Sequence, residues 1–312
     1  MEYVGIQSQI SRNNFYSVLQ LILFPVLLAA TVFAVTFFMS QYYGADLTED
    51  FPVIALGVMG GTALWFLIAY FFHHQIIMAA TGAKPLERKE NKRVYNLVEN
   101  LCISQGIKMP NVYVIDDDSL NAFASGIDER TFSVTLSRGI INKLNDAELE
   151  GVIAHELTHI INRDVRLLII TIVFVGIFSF IANIAFRSLR FAGRGGGGGK
   201  DEKGGKGILI LAIILITALA YVLALFLRFG ISRRREYMAD AGGAQMTKNP
   251  LALAAALKKI SGDPYIEAVE NKDVAQLFIE HPQNEKDRSW FDGIFETHPP
   301  IQERIKLLEQ FT

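Results

Sequence analysis

Four long apolar segments constrain this chain more than any other feature. Residues 15–40, 51–83, 167–186 and 207–227 contain no Asp, Glu, Lys or Arg, and each reaches the ~20 residues that a helix needs to cross a bilayer. The third and fourth are apolar on all sides, which favours membrane spans over a helical hairpin buried in a soluble core. Since 51% of all residues are hydrophobic, we expect a mainly α integral membrane protein with four spans.

The basic residues near these segments predict the orientation. Clusters of Lys and Arg follow the second span, precede the third and follow the fourth, whereas the connection after the first span carries only acids. We therefore expect the polar blocks to face the cytoplasm. Six basic residues between the third and fourth spans oppose this orientation. Either the flanking charges prevail, or the second hairpin dips into the bilayer without crossing it.

The spans divide the chain into two membrane hairpins and two polar blocks. We predict an N-terminal hairpin over residues 1–83, a first polar block over 84–166, a second hairpin over 167–227 and a second block over 228–312. The glycine-rich loop, residues 193–207, lacks the spacing of a phosphate-binding loop and is typical of a flexible linker. If both blocks lie on one side of the membrane, they can fold as one discontinuous α+β domain.

Local patterns predict several elements of that domain. A helical pattern ends at Gly106, and two segments rich in β-branched residues, "NVYVIDD" and "RTFSVTLS", indicate strands. A further helix is predicted to begin at Asn145, because Asn145 and Glu148 fit a capping box. No Gly or Pro lies between His155 and the third span, so we expect the helix to continue unbroken into that span.

That helix carries His155, Glu156 and His159 in the sequence "HELTH". Residues four apart share one face of a helix, so one metal ion can contact both histidines. A catalytic zinc usually takes three protein ligands and leaves a position for water, whose pKa it lowers. Glu156 is then placed to act as the general base. The alternative is that these residues are ordinary polar groups on an amphipathic surface.

A third ligand is available in the second polar block. The segment "REYMAD" places Glu236 and Asp240 four apart, so Glu236 can bind the metal while Asp240 accepts an N–H from a ligating histidine. The alternative is that both acids only offset the preceding arginines, residues 233–235.

Together these motifs resemble a known family. "HELTHIINRD", "EYMAD", "NAFASG" and "THPPIQERI", set among four spans in this order, are similar to the HtpX-type membrane zinc metalloproteases, relatives of the CAAX-processing membrane proteases. The resemblance implies a zincin-like (gluzincin) catalytic domain with a small sheet. It also implies one zinc ion on His155, His159 and Glu236, with Glu156 as the base. It further implies cleavage of misfolded membrane proteins at the cytoplasmic face of a bacterial inner membrane.

Other residues are weaker candidates for the site. Asn121 and Ala122, in "NAFASG", can belong to an edge strand that pairs with the substrate backbone, the alternative being an ordinary turn. His298 can approach the oxyanion, with Arg304 holding that tail in place, or it is simply a loop residue. For Asp164 we expect a solvent-facing salt bridge with a neighbouring arginine rather than support of the metal site.

The sequence leaves two other functions open. One is a CAAX-type protease that processes a defined lipid-embedded peptide, and the other is a non-catalytic membrane scaffold stabilised by zinc. A formal net charge of -2 gives no reason to expect nucleic acid as a partner. We therefore expect unfolded proteins and the lipid bilayer as partners.

Overall fold

The structure is a computed structural model of the 312-residue chain. It describes residues 6–43, 47–170, 232–262, 278–279 and 299–311, together with residues 214 and 218. Most of the third predicted span, nearly all of the fourth, the glycine-rich loop and His298 lie outside these residues.

Two long helices form the N-terminal hairpin. Helix α1 covers Ile6–Tyr43 and helix α2 covers Leu47–Thr81. Among the described residues they alone are long and apolar enough to cross a membrane, over Ile10–Phe37 and Phe51–Thr81. The most apolar window of α2 contains no buried residue, unlike the core helix of a soluble protein. Its exposed aromatic side chains therefore suit contact with lipid.

A four-stranded mixed sheet occupies the first polar block. Its strands are β1 (Lys84–Pro85), β2 (Asn111–Ile115), β3 (Ala122–Ser125) and β4 (Ser133–Ser137), in the order β1-β2-β4-β3. Strand β4 runs parallel to β2 and antiparallel to β3. The two predicted strands are confirmed, and "NAFASG" contributes a third, β3, at the edge of the sheet.

Six shorter helices complete the described domain. They are α3 (Lys92–Gln105), α4 (Arg138–Lys143), α5 (Asp146–Ile161), α6 (Ser232–Thr247), α7 (Pro250–Ile260) and α8 (Ile301–Glu309). The predicted capping box at Asn145 is present, and Gly106 ends α3 in the left-handed conformation. Helix α5 packs against β3, β4, α3, α6 and α7. Since it is covered on so many sides, eleven of its sixteen residues are buried.

The expectation of an unbroken helix from Asn145 into the third span is wrong. Helix α5 ends at Ile161, and the chain turns at Asn162 and Arg163 before helix resumes at residue 164. Arg163 adopts a left-handed φ of 58°, and the Asn162 carbonyl accepts a hydrogen bond from the Asn13 side chain at 2.7 Å. The Asn13 amide takes the place of the backbone N–H that would bond this carbonyl in a continuous helix. The helix can therefore be interrupted here without Gly or Pro.

The chain divides into two compact units. One comprises Met1–Tyr16, Phe72–Ile169 and Phe229–Thr312, and the other comprises Ser17–Phe71 and Ile170–Arg228. The first unit contains the sheet, helices α3–α8 and the start of α1. All the site residues described below belong to this unit.

Candidate metal centre

Helix α5 brings its two histidines together on one face. The Nε2 atoms of His155 and His159 lie 3.2 Å apart, and the two rings are nearly perpendicular. His155 is fully buried, and the His159 side chain is 14% exposed. Two histidines one turn apart on a rigid, buried helix therefore present two ring nitrogens to a single point.

Helix α6 supplies the third side chain. Glu236 Oε1 lies 3.5 Å from His159 Nε2, and Oε2 lies 3.6 Å from His155 Nε2. This approach depends on close packing of α6 on α5. A Cβ at Gly242 would lie 2.4 Å from Thr158 Cγ2, and one at Gly243 would lie 3.1 Å from the His155 backbone nitrogen. The two glycines thus allow α6 to come near enough for Glu236 to reach the histidines.

The three side chains fit a divalent metal. Zinc binds imidazole nitrogen and carboxylate oxygen at ~2.0–2.2 Å, which separates tetrahedral ligands by ~3.3–3.6 Å. The ligand atoms of His155, His159 and Glu236 have this separation and all lie within 4.8 Å of one another. Both Nδ1 atoms face carboxylates, so in the neutral rings the two Nε2 atoms present lone pairs and cannot hydrogen-bond each other. A cation shared by the two nitrogens, either a metal ion or a proton, accounts for their proximity.

A carboxylate and an arginine back His155. Asp240 Oδ1 lies 3.0 Å from His155 Nδ1, and Arg304 donates to both Asp240 oxygens, at 2.9 and 2.8 Å. Burial would raise the pKa of Asp240, but the charge and hydrogen bonds of Arg304 lower it to about 2. Burial would lower the pKa of His155, but Asp240 and Glu236 raise it to about 9. The surroundings of His155 therefore favour positive charge.

Asp164 backs the other histidine, contrary to the prediction of a solvent-facing salt bridge. Its side chain is 4% exposed, and Oδ2 pairs with His159 Nδ1 at 3.0 Å. The other oxygen, Oδ1, accepts from Asn13 Nδ2 at 2.6 Å. The turn after α5 directs Asp164 inward, whereas the assumption of a continuous helix favoured the solvent-facing alternative.

Glu156 lies beside the three clustered side chains without belonging to them. It is buried, and its Oε1 has no hydrogen-bond partner in the described part of the chain. Burial raises the pKa of the Glu156 carboxyl, while the two histidines oppose the rise. A buried oxygen without a partner is free to accept a proton or a hydrogen bond from a water or a substrate.

The edge strand β3 lies against α5. The antiparallel register pairs Asn121 with Ser137 through the main chain, so the next carbonyl, that of Ala122, points away from β4. Ala122 O accepts the Ile279 N–H at 2.9 Å, and Phe123 forms a bridge with Phe278. The outward edge of β3 is thus able to pair with an extended chain, and residues 278–279 occupy part of it.

Arg304 lies deeper than its predicted role in holding the tail suggests. Besides Asp240 it donates to the Ile279 carbonyl at 3.0 Å, and its Nη2 is 3.4 Å from His155 Nε2. Arg304 is fully buried. Its spacing from Asp240 in the sequence gives no signal of this pairing, and only its place after "THPP" marked it as a candidate.

Comparison with known proteins agrees with this geometry. The model of peptidase family M48 matches residues 88–312, which include every residue of the clustered site. The chain belongs to peptidase family M48. It is therefore a metalloprotease, a hydrolase that depends on a metal cofactor and acts on protein substrates.

Full-length relatives carry the same assignment. The chain is 59% identical to a "Protease HtpX homolog" of Bacteroides fragilis over 100% of both chains. A homolog of the same name from Tropheryma whipplei is 34% identical over 97% of both chains. Another from Thermoanaerobacter pseudethanolicus is 36% identical over 93% of this chain and 94% of that one. These relatives and the two apolar helices support an integral membrane protein in contact with a lipid bilayer.

One solved structure is similar at a greater distance. S. mikatae Ste24p has a TM-score of 0.47 and 17% identity, and the match covers 96% of this chain and 66% of that one. This likeness is too remote to assign a fold or a function. The assignment of the chain to the M48 peptidases therefore rests on the family match and on the geometry of the site itself.

Proposed function

We propose that this M48 peptidase is a zinc-dependent endopeptidase that cleaves misfolded or damaged membrane proteins. We further propose that its catalytic domain, formed by residues 84–166 and 228–312, faces the cytoplasm of a bacterial inner membrane. The observation that carries the catalytic part is the convergence of His155, His159 and Glu236 at 3.2–3.6 Å. Two histidine nitrogens from the "HELTH" helix and one carboxylate oxygen from α6 favour zinc among the divalent metals.

The proposal gives each nearby residue a separate task. His155, His159 and Glu236 would hold the zinc, which supplies Lewis acidity towards a carbonyl and an attacking water. Glu156, with its unpartnered buried oxygen, takes the proton of that water and delivers it to the leaving amine. Asp164 accepts from His159 Nδ1, and Asp240, 3.0 Å from His155 Nδ1, is placed to do the same for His155, which would fix both tautomers.

The β3 edge suits a protease that accepts many sequences. Main-chain pairing with a strand edge depends little on substrate side chains, and Ala122 already accepts a main-chain hydrogen bond from Ile279. A substrate strand that used the same carbonyl would have to replace this bond. Asn121, which immediately precedes β3, is fully buried and is proposed to fix the edge of the strand rather than to contact substrate directly.

The membrane helices support the choice of substrate. A protease anchored by apolar helices keeps its site near the bilayer surface, where extracted or unfolded segments of membrane proteins emerge. Substrate preference is tested in liposomes with a destabilised membrane protein and its stable parent. Preferential cleavage of the destabilised form is expected. Equal cleavage of both forms would refute a quality-control role, while cleavage of a single defined lipidated peptide would favour a CAAX-type enzyme.

Catalysis itself is tested with two variants of the full-length protein in detergent. Glu156→Gln should bind one zinc and lose cleavage of an unfolded protein by on the order of 10²–10⁴-fold, the usual contribution of a general base. Glu236→Ala should lose both zinc and cleavage. Full metal content in Glu236→Ala would refute the third ligand. Zinc binding without cleavage by the wild type would point to a scaffold.

A further inference from the structure

The two histidines of the metal centre have similar support. His155 faces the carboxylate of Asp240, and Arg304 holds that carboxylate with two hydrogen bonds. His159 faces the carboxylate of Asp164. In each pair one carboxylate oxygen meets the imidazole, so the orientation of the histidine depends on whatever fixes the carboxylate.

Asn13 is the residue that fixes Asp164. Its Nδ2 donates to Asp164 Oδ1 at 2.6 Å and to the Asn162 carbonyl at 2.7 Å. Asn13 and Asp164 are 1% and 3% exposed, so water cannot readily replace these bonds. The same amide therefore secures both the turn that follows α5 and the carboxylate that the turn directs towards His159.

The chemistry of a ligand histidine makes this contact consequential. To bind a metal through Nε2, His159 must carry its proton on Nδ1 and donate it to Asp164 Oδ2. A buried carboxylate that loses one of its donors is freer to rotate. That rotation weakens the acceptor opposite His159, which otherwise fixes the tautomer and the direction of the imidazole ring.

We propose that Asn13 is a positioning residue of the metal centre, so that the first membrane helix contributes directly to metal binding. This inference rests on the proposed function, since it takes His159 as a metal ligand. Asn13 lies within Ile10–Phe37, the apolar part of α1. The helix that anchors the protein would thus also hold one of the two histidine–carboxylate pairs, as Arg304 on α8 holds the other.

Metal affinity tests this proposal independently of cleavage. Full-length wild type, Asn13→Ala and Asn14→Ala are purified in detergent, and their zinc affinity is measured by competition with a chromophoric chelator. Asn13→Ala should bind zinc ~10–100-fold more weakly, the usual effect of removing an outer hydrogen-bond partner. Its Co²⁺ derivative should show an altered visible spectrum. Asn14 is the matched control, because it is adjacent and outside the described hydrogen bonds with the turn after α5.

The Asp164→Asn background separates positioning from general destabilisation. If Asn13 acts through the carboxylate, Asn13→Ala should weaken zinc binding little further once Asp164 has lost its charge. Should Asn13→Ala fail to fold, Asn13→Ser, which keeps a donor on a smaller side chain, provides the same comparison. Wild-type affinity and a wild-type Co²⁺ spectrum in folded Asn13→Ala would overturn the inference. Absence of zinc binding in the wild type would instead overturn the proposed function.

Discussion

The contact between α5 and α6 provides the sharpest test of how the fold builds the metal centre. Gly242 faces Thr158, one residue before the ligand His159. A methyl group at position 242 would lie 2.4 Å from Thr158 Cγ2 and 2.9 Å from its Oγ1. Carbon atoms in favourable contact are ~3.5–4.0 Å apart, so Gly242→Ala should move α6 away from α5 by about 1 Å.

Two opposing effects determine the cost in stability. Overpacking a tight contact costs ~1–3 kcal/mol, whereas replacing a helical Gly by Ala gains about 1 kcal/mol. The net loss in the free energy of unfolding should therefore not exceed about 2 kcal/mol. Metal binding tolerates less, since ligand distances must hold to within ~0.2 Å. A ~1 Å shift of Glu236 should weaken zinc binding at least ~10–100-fold, as losses of ligand orientation do.

The assay compares zinc affinity with thermal stability in Gly242→Ala and in a rescuing double variant. Thr158→Ala removes the two nearest atoms, and its side-chain hydrogen bond to the Ala154 carbonyl is dispensable because it lies within the helix. The double variant should therefore recover most of the lost affinity. Gln245→Ala, at an exposed position on the same helix, serves as the control. Unchanged zinc affinity in a folded Gly242→Ala protein would refute the close-packing argument.

Acid should remove the contribution of Asp240 to stability. Its folded pKa of about 2 lies below the ordinary value of 3.8, so this contribution of about 2 kcal/mol is complete above about pH 4 and is lost as the pH falls through 2. Thermal melts of Asp240→Asn should lack this part of the acid dependence, and an unchanged pH profile would contradict the ion pair. Arg93→Ala should lower stability by ~1–3 kcal/mol, since Arg93 donates to the Ile141 and Leu144 carbonyls at 2.7 Å. Its zinc affinity should match the wild type, and a parallel fall would show that the effect reaches the site.

Local patterns predicted the parts of the site that depend on a single helix. The spacing of His155 and His159 specifies one face of α5 whatever the rest of the chain does, and the capping box at Asn145 fixes where that helix begins. The pairing of Glu236 with the histidines also followed from residue types. The sequence does not, however, predict the distance between Glu236 and the histidines, because this distance depends on how closely α6 packs against α5 at Gly242.

Long-range contacts explain what the sequence did not predict. Asn13 and Asp164 are 151 residues apart, and a polar residue near the start of an apolar helix is ordinary at a membrane interface. The break after α5 was missed for the same reason. It contains no Gly or Pro, and its left-handed residue is Arg163, although local patterns assign this conformation mainly to Gly and Asn. The polar tripeptide "NRD" offered a local sign of a turn there.

Contacts between residues distant in the sequence also explain why metal binding and folding should be coupled in this protein. The proposed ligands come from α5 and α6, and the groups that orient them come from α1, the turn after α5, and α8. Buried polar contacts join these segments around the histidines, and a metal ion would reinforce their geometry. A zinc ion at this site would therefore stabilise the junction between the two polar blocks as well as activate water. Substitutions at Asn13 and Arg304, which touch no reacting atom in this proposal, should accordingly resemble partial metal loss rather than loss of the general base Glu156.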